Sequence, residues 1–245
     1  MFNIQSVNVR YGGMEALKDL TLSIREGEQV CLIGPSGAGK TTLLGLLNGR
    51  VQPTAGQVMV GGQDLSAISS RQLREVRKQL AWVPQNLGLV PNLRVNQNVA
   101  CGRVGQKGTL GLLRSFLFMS KSEREEIHAL LQRLGIEEKL FERVDHLSGG
   151  QQQRVAMARS LFQQPKAILA DEPVSAVDPA RAESLIALLT QVAREEGLTL
   201  VASLHDVTLA KRYFDRVIGL RGGEVVLDGQ ADEESLQQLY QLEVS

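Results

Sequence analysis

Gly34-Pro35-Ser36-Gly37-Ala38-Gly39-Lys40-Thr41, with Thr42 behind it, is the stretch that decides how this chain folds. It fits the spacing G-x-x-x-x-G-K-[ST]. It also follows an apolar strand, Gln29–Ile33, and opens a segment, 42–49, whose Leu43, Leu44, Leu46 and Leu47 read as a buried helix. The glycines let the backbone fold so tightly that successive N–H groups point into one concavity, which suits an anion. A helix starting near Lys40 adds its positive dipole end. Lys40 is then placed to reach the β- and γ-phosphates of a nucleotide, and the Thr41 hydroxyl to coordinate Mg²⁺.

Outward from that loop the pattern alternates. Ile4, Val7 and Val9 suggest one strand and Leu20, Leu22 and Ile24 another, with Gly12-Gly13 between them, an antiparallel start. A further β segment is expected at 57–60, a charged helix at 71–79 and an apolar strand at Leu80–Val83. From about 91 to 161 the pattern is helical, most clearly at 121–134. Beyond Pro165 come a strand at Ala167–Ala170, a helix at 180–196, a strand at 198–204 and a hairpin at 217–220 and 224–227. Strands and helices alternating on both sides of a helical block give an α/β fold with a parallel sheet and a helical insertion.

The bulk properties narrow the function. Over 245 residues, 43% apolar and 22% charged, a packed core is expected rather than disorder. Lys and Arg number 27 and so do Asp and Glu, so no broad basic field for nucleic acid exists. No apolar run is long enough to span a bilayer, and the first ten residues show no secretory pattern. Cys31 and Cys101 stand in unrelated contexts and read as free thiols. Together these suggest a soluble, cytosolic protein.

Two further motifs carry chemistry. Ile168-Leu169-Ala170-Asp171-Glu172 is a buried strand ending in two carboxylates at the ligand edge of such a sheet. Asp171 suits Mg²⁺ held through water, and Glu172 suits a general base for the attacking water. Leu147-Ser148-Gly149-Gly150-Gln151 precedes a helix read at 152–162, and makes a second phosphate-sized anion site.

These three motifs, in this order, resemble the nucleotide-binding subunit of ATP-binding-cassette (ABC) proteins along essentially the whole chain. The resemblance implies a P-loop NTPase fold: a RecA-like parallel-sheet core, an N-terminal antiparallel β subdomain and an inserted α-helical subdomain. It implies one ABC ATPase domain over 1–245, with about 1–90 and 162–245 as the core and about 91–161 as the helical part. By resemblance Gln85 is the glutamine that touches Mg²⁺ or water and links to a membrane partner. Ser175-Ala176-Val177-Asp178 is similar to the D-loop, with Val177 where Leu is more usual, and Asp178 is assigned to the ATP site. His205 matches the switch histidine that contacts the γ-phosphate, and Tyr11 the aromatic that stacks on adenine. His128 and His146 match nothing and read as surface residues.

The family's two-copy arrangement implies that Ser148, Gly149, Gly150 and Gln151 of one copy cap the phosphate held by Lys40 of the other. With a single cassette and no membrane span, the chain would deliver its work to permease subunits and, indirectly, to an extracytoplasmic binding protein, from the cytoplasmic face of the inner membrane. The family's contact surface follows Gln85, at residues 86–98 and 101–120. There Leu110, Leu113 and Leu117, with Phe116 and Phe118 nearby, make an apolar cluster that either seats a partner or packs within the insertion. Leu89-Val90-Pro91, Gln151-Gln152-Gln153 and Ser203-Leu204-His205 look like the phosphonate-import subgroup, whose members also take phosphite or phosphate. The alternatives are a cassette for another cargo or an exporter, a cassette scaffold working on nucleic acid or ribosomes, and a small-molecule kinase. The scaffold needs a long coiled coil or two cassettes in tandem, and the kinase leaves 147–151 and His205 without a job.

Overall fold

Alternation of apolar residues builds the first of two sheets. The computed structural model describes residues 1–175, 177–232, 236, 239 and 240, without the side chains of Thr109, Leu112 and Leu117. β1 (Phe2–Tyr11) turns at Gly12-Gly13 into β2 (Met14–Ile24), and pairs on its other side with β4 (Ala55–Val60), which carries the short β5 (Gln63–Asp64). The buried face of β1 switches parity, from Phe2 and Ile4 to Val7 and Val9. A register shift between Ile4 and Val7, with Ser6 at φ 46°, supplies the extra residue.

The second sheet has the order β10-β9-β3-β8-β7-β6. Its members are β3 (Gln29–Ile33), β6 (Leu80–Val83), β7 (Ala167–Ala170), β8 (Thr199–Ser203), β9 (Arg216–Arg221) and β10 (Glu224–Gly229). All are parallel except β10, which returns beside β9 through Gly222-Gly223. The helices are α1 (Lys40–Leu47), α2 (Ser70–Lys78), α3 (Val95–Ala100), α4 (Val104–Leu117), α5 (Lys121–Arg133), α6 (Gly149–Phe162), α7 (Pro179–Glu195) and α8 (Val207–Tyr213).

The two-residue strand period sorts side chains into two cores. Val30, Leu32, Ala167, Leu169 and Val201 face α1 and the antiparallel sheet. Cys31, Ile33, Ile168, Ala170, Leu200 and Ala202 face α6, α7 and the helices of the insertion. Buried on both faces, these strands read as unbroken apolar runs.

Helix α1 begins at Lys40, where the sequence places its start, and the lysine lies in its first turn. One sequence expectation shifts. Helix α6 begins at Gly149, not at 152, so the two glycines ahead of the expected start form its first turn and Ser148 is its N-cap. The reason is a capping box: Gln151 N–H donates to Ser148 Oγ, and Ser148 N–H donates to Gln151 Oε1 at 3.0 Å.

Parallel strands all end on one edge. The phosphate-type loop leaves β3 there, Gln85 follows β6, Asp171 and Glu172 follow β7, and Ser203 and His205 lie at the end of β8. Residues distant in sequence therefore share one rim of the sheet.

Candidate nucleotide-hydrolysis site

The loop from Gly34 to Gly39 winds closely over its neighbours. A Cβ on Gly34 (φ 144°) would stand 2.1 Å from the Leu220 carbonyl oxygen, and one on Gly39 (φ 106°) 2.7 Å from the Leu17 side chain. Only glycine fits at either place. Pro35, Ser36 and Gly37 form the exposed lip, Ala38 is buried, and Ala38 N–H donates to Pro35 O at 3.2 Å. Lys40 is buried at the floor and its Nζ donates to Gly34 O at 2.7 Å and Pro35 O at 3.1 Å. Burial pulls the Lys40 pKa down, and the carboxylates of Glu172 and Asp171 pull it back up. Thr42 is half-buried in the first turn of α1.

Opposite Lys40 stands a hydrogen-bonded group of residues. Asp171 is held from its backbone, whose N–H donates to Val83 O at 2.8 Å. Its Oδ1 accepts from Thr41 Oγ1 at 3.3 Å and from Ser203 Oγ at 2.8 Å. The Glu172 carboxylate accepts from Gln85 Nε2 at 2.7 Å on one oxygen and from His205 Nε2 at 2.5 Å on the other. Glu172 has φ 48°, a left-handed conformation that costs a residue with a side chain about 1–2 kcal/mol. Its N–H donates to Ser203 Oγ at 2.9 Å.

Lys40, Thr41, Gln85, Asp171, Glu172 and His205, spread over the sequence, are thus brought together. Ser203 is the member that the sequence did not flag as a site residue. A serine at a strand end carries no signal of its own; only the pairing of β7 with β8 puts it between the Asp171 carboxylate and the Glu172 backbone N–H.

The donors near Asp171 are a hydroxyl, a carboxylate and an amide, the hard oxygen set that suits Mg²⁺ shared with phosphate and water. Thr41 and Asp171 are the pair that would hold it; the Gln85 amide nitrogen is engaged by Glu172.

Other expected residues lie elsewhere. Tyr11, at the end of β1, is 52% exposed, so it does not pack on the core. Ser148, Gly149, Gly150 and Gln151 form the tip of α6, exposed or half-buried, with their capping bonds kept inside that tip. Asp178 caps α7, its Oδ1 accepting from Arg181 N–H at 3.1 Å. Ala176 lies outside the described residues. His128 and His146 are exposed. Cys31 and Cys101 are free, and burial pushes both thiols up, away from reactivity. No helix is long and apolar enough to cross a membrane among the described residues.

Known proteins share this architecture. The ABC transporter domain matches residues 17–175. The phosphonates import ATP-binding protein PhnC 3 of Halalkalibacterium halodurans is 43% identical, over 98% of this chain and 94% of its own length. PhnC of Thiobacillus denitrificans is also 43% identical, over 98% of this chain and 93% of its length. Among solved structures, a dimeric bacterial ABC transporter cassette superposes with a TM-score of 0.82 at 33% identity, covering 94% of this chain and 98% of that one. A dimeric post-hydrolysis state of an ATP-binding cassette bound to ADP and Pi gives 0.78 at 31% identity, with the same coverage. The domain match takes in the phosphate-type loop, both sheet-edge carboxylates and the tip of α6, and relatives align along almost the full length: this chain belongs to the ABC transporter family.

Proposed function

We propose that this chain is the ATP-hydrolysing subunit of an importer for phosphonate or a related oxyanion such as phosphite or phosphate. The carrying observation is the Glu172 carboxylate, held between Gln85 and His205 at the sheet edge that also bears Lys40. ATP lies with its phosphates in the loop 34–42, contacted by backbone N–H groups and Lys40. Glu172 takes the proton of the attacking water, and His205 exchanges its bond to Glu172 for the γ-phosphate. Bound Mg²⁺ supplies charge neutralisation at the phosphates, with Thr41, Asp171 and Gln85 around it. Tyr11 stacks on adenine and Asp178 borders the nucleotide.

Ser148, Gly149, Gly150 and Gln151 close over the nucleotide of a second copy. Gly150 supports this: its backbone φ is not positive, and a Cβ there would meet nothing within 4 Å. The monomer fold has no need of a glycine at that place. The dimeric cassettes among the structural neighbours support the same arrangement. The cargo reading is supported by the names of the relatives, which are phosphonates import proteins. An importer subunit of this kind works with permease subunits and an extracytoplasmic binding protein, as a peripheral protein on the cytoplasmic face of the inner membrane, and it makes no use of nucleic acid.

The test is Glu172→Gln. Turnover should fall by about 10²-fold or more with ATP still bound, and a dimer should accumulate with ATP in size-exclusion chromatography. Parental turnover in that variant removes Glu172 from the role of base.

A further inference from the structure

We infer that Ser203 is the positioning residue that sets both carboxylates of the hydrolytic edge. This rests on the reading of Glu172 as the base and adds the group that aims it. Ser203 ends β8 with 0% of its surface exposed. Its Oγ donates to Asp171 Oδ1 at 2.8 Å and accepts from Glu172 N–H at 2.9 Å. A hydroxyl has one proton and two lone pairs, so it fills both roles at once. No solvent reaches Ser203 to take its place.

The bond to Glu172 matters because of where that residue sits in φ/ψ space. At φ 48° the backbone is in the left-handed region, which L residues leave unless their surroundings fix them. Ser203 fixes the amide of that residue. The side chain is thereby aimed between Gln85 and His205. The same hydroxyl holds the Asp171 oxygen that meets Thr41. One buried oxygen on the neighbouring strand therefore sets the spacing of base and metal-side carboxylate.

Ser203→Ala should lower kcat by about 10- to 100-fold, the effect of leaving a buried amide and a carboxylate short of a partner. Affinity for a fluorescent ATP analogue should change little, and the protein should stay folded at assay temperature by thermal scan. Ser203→Thr keeps the hydroxyl and should restore most of kcat. Ser203→Val, equal to threonine in shape, should stay slow. If the alanine variant folds poorly, Ser203→Cys, close to serine in size but a weak acceptor, should show the same slow kcat with ATP affinity kept. A packing role alone predicts that threonine and valine behave alike and that rate follows folded fraction; that pattern, or a parental kcat in Ser203→Ala, overturns the inference. Slow Glu172→Gln beside parental Ser203→Ala sinks only this inference, whereas parental Glu172→Gln sinks the reading of the base beneath it.

Discussion

Lys40 shows what the site costs at the scale of a residue. Its ammonium is buried on two carbonyl oxygens, and burial lowers its pKa. The folded chain therefore holds this proton less tightly than the unfolded chain does. Stability should rise with pH on the approach to the ordinary lysine value of 10.5, the window where the unfolded state binds more protons. Lys40→Met removes that slope. In thermal scans the parent should gain on the variant as the pH rises, and the variant should lose hydrolysis by about 10²-fold or more. A constant gap between the two across that range contradicts the buried charge. Lys40 and Asp171 were legible from spacing alone, because a glycine loop before a helix and a carboxylate after an apolar strand are local patterns. Ser203 was not, because its partners are residues 171 and 172 just past the end of another strand, and nothing within its own neighbourhood reports them.

Among elements, those the sequence marks best are the strands buried on both faces. β3, β6 and β7 run over the residues their apolar runs indicate, since Gly, Pro and charged residues bound them sharply. Helix starts were harder. The Ser148 capping box draws Gly149 and Gly150 into α6, although glycine disfavours helix by about 1 kcal/mol. That gives a prediction for α6 itself. Gly150→Ala should fold at least as well as the parent, gaining about 0.5–1 kcal/mol and some 2–4 °C in melting temperature. The same variant should lose ATP-driven dimerisation in size-exclusion chromatography. A dimer that forms as readily as the parent's would show that no second copy approaches this tip. Helix α4 splits the apolar cluster. Leu110, Leu113 and, just past the helix, Phe118 are exposed, whereas Phe116 packs against the core. The Leu117 side chain lies outside the described residues.

Over the whole molecule the charges balance, yet they are not evenly spread. Every charged side chain between Val76 and Ser122 is positive: Arg77, Lys78, Arg94, Arg103, Lys107, Arg114 and Lys121. Two of these, Arg77 and Lys78, join Arg50, Arg71, Arg74 and Arg159 around a cavity of about 740 Å³, where Glu75 is the one carboxylate among the described lining residues. The family resemblance implies permease contacts at 86–98 and 101–120. The cavity uses the start of the second stretch, but sets it against α2, β6 and the far end of α6, a juxtaposition that only folding creates. If this is the permease face, Arg50→Glu with Arg71→Glu should weaken co-purification with a co-expressed permease by about tenfold or more. Full co-purification places the permease elsewhere. Trp82, the single tryptophan of the chain, lines the same cavity, so its emission should shift on assembly. Helix α6 gives this arrangement a mechanical meaning. Its first end is the Ser148 tip, and Arg159, Ser160 and Gln163, at its other end, border the cavity. About 21 Å of stiff rod separates the two. If that tip closes over the nucleotide of a second copy and the cavity seats a permease, one rigid body would tie the two events together in time.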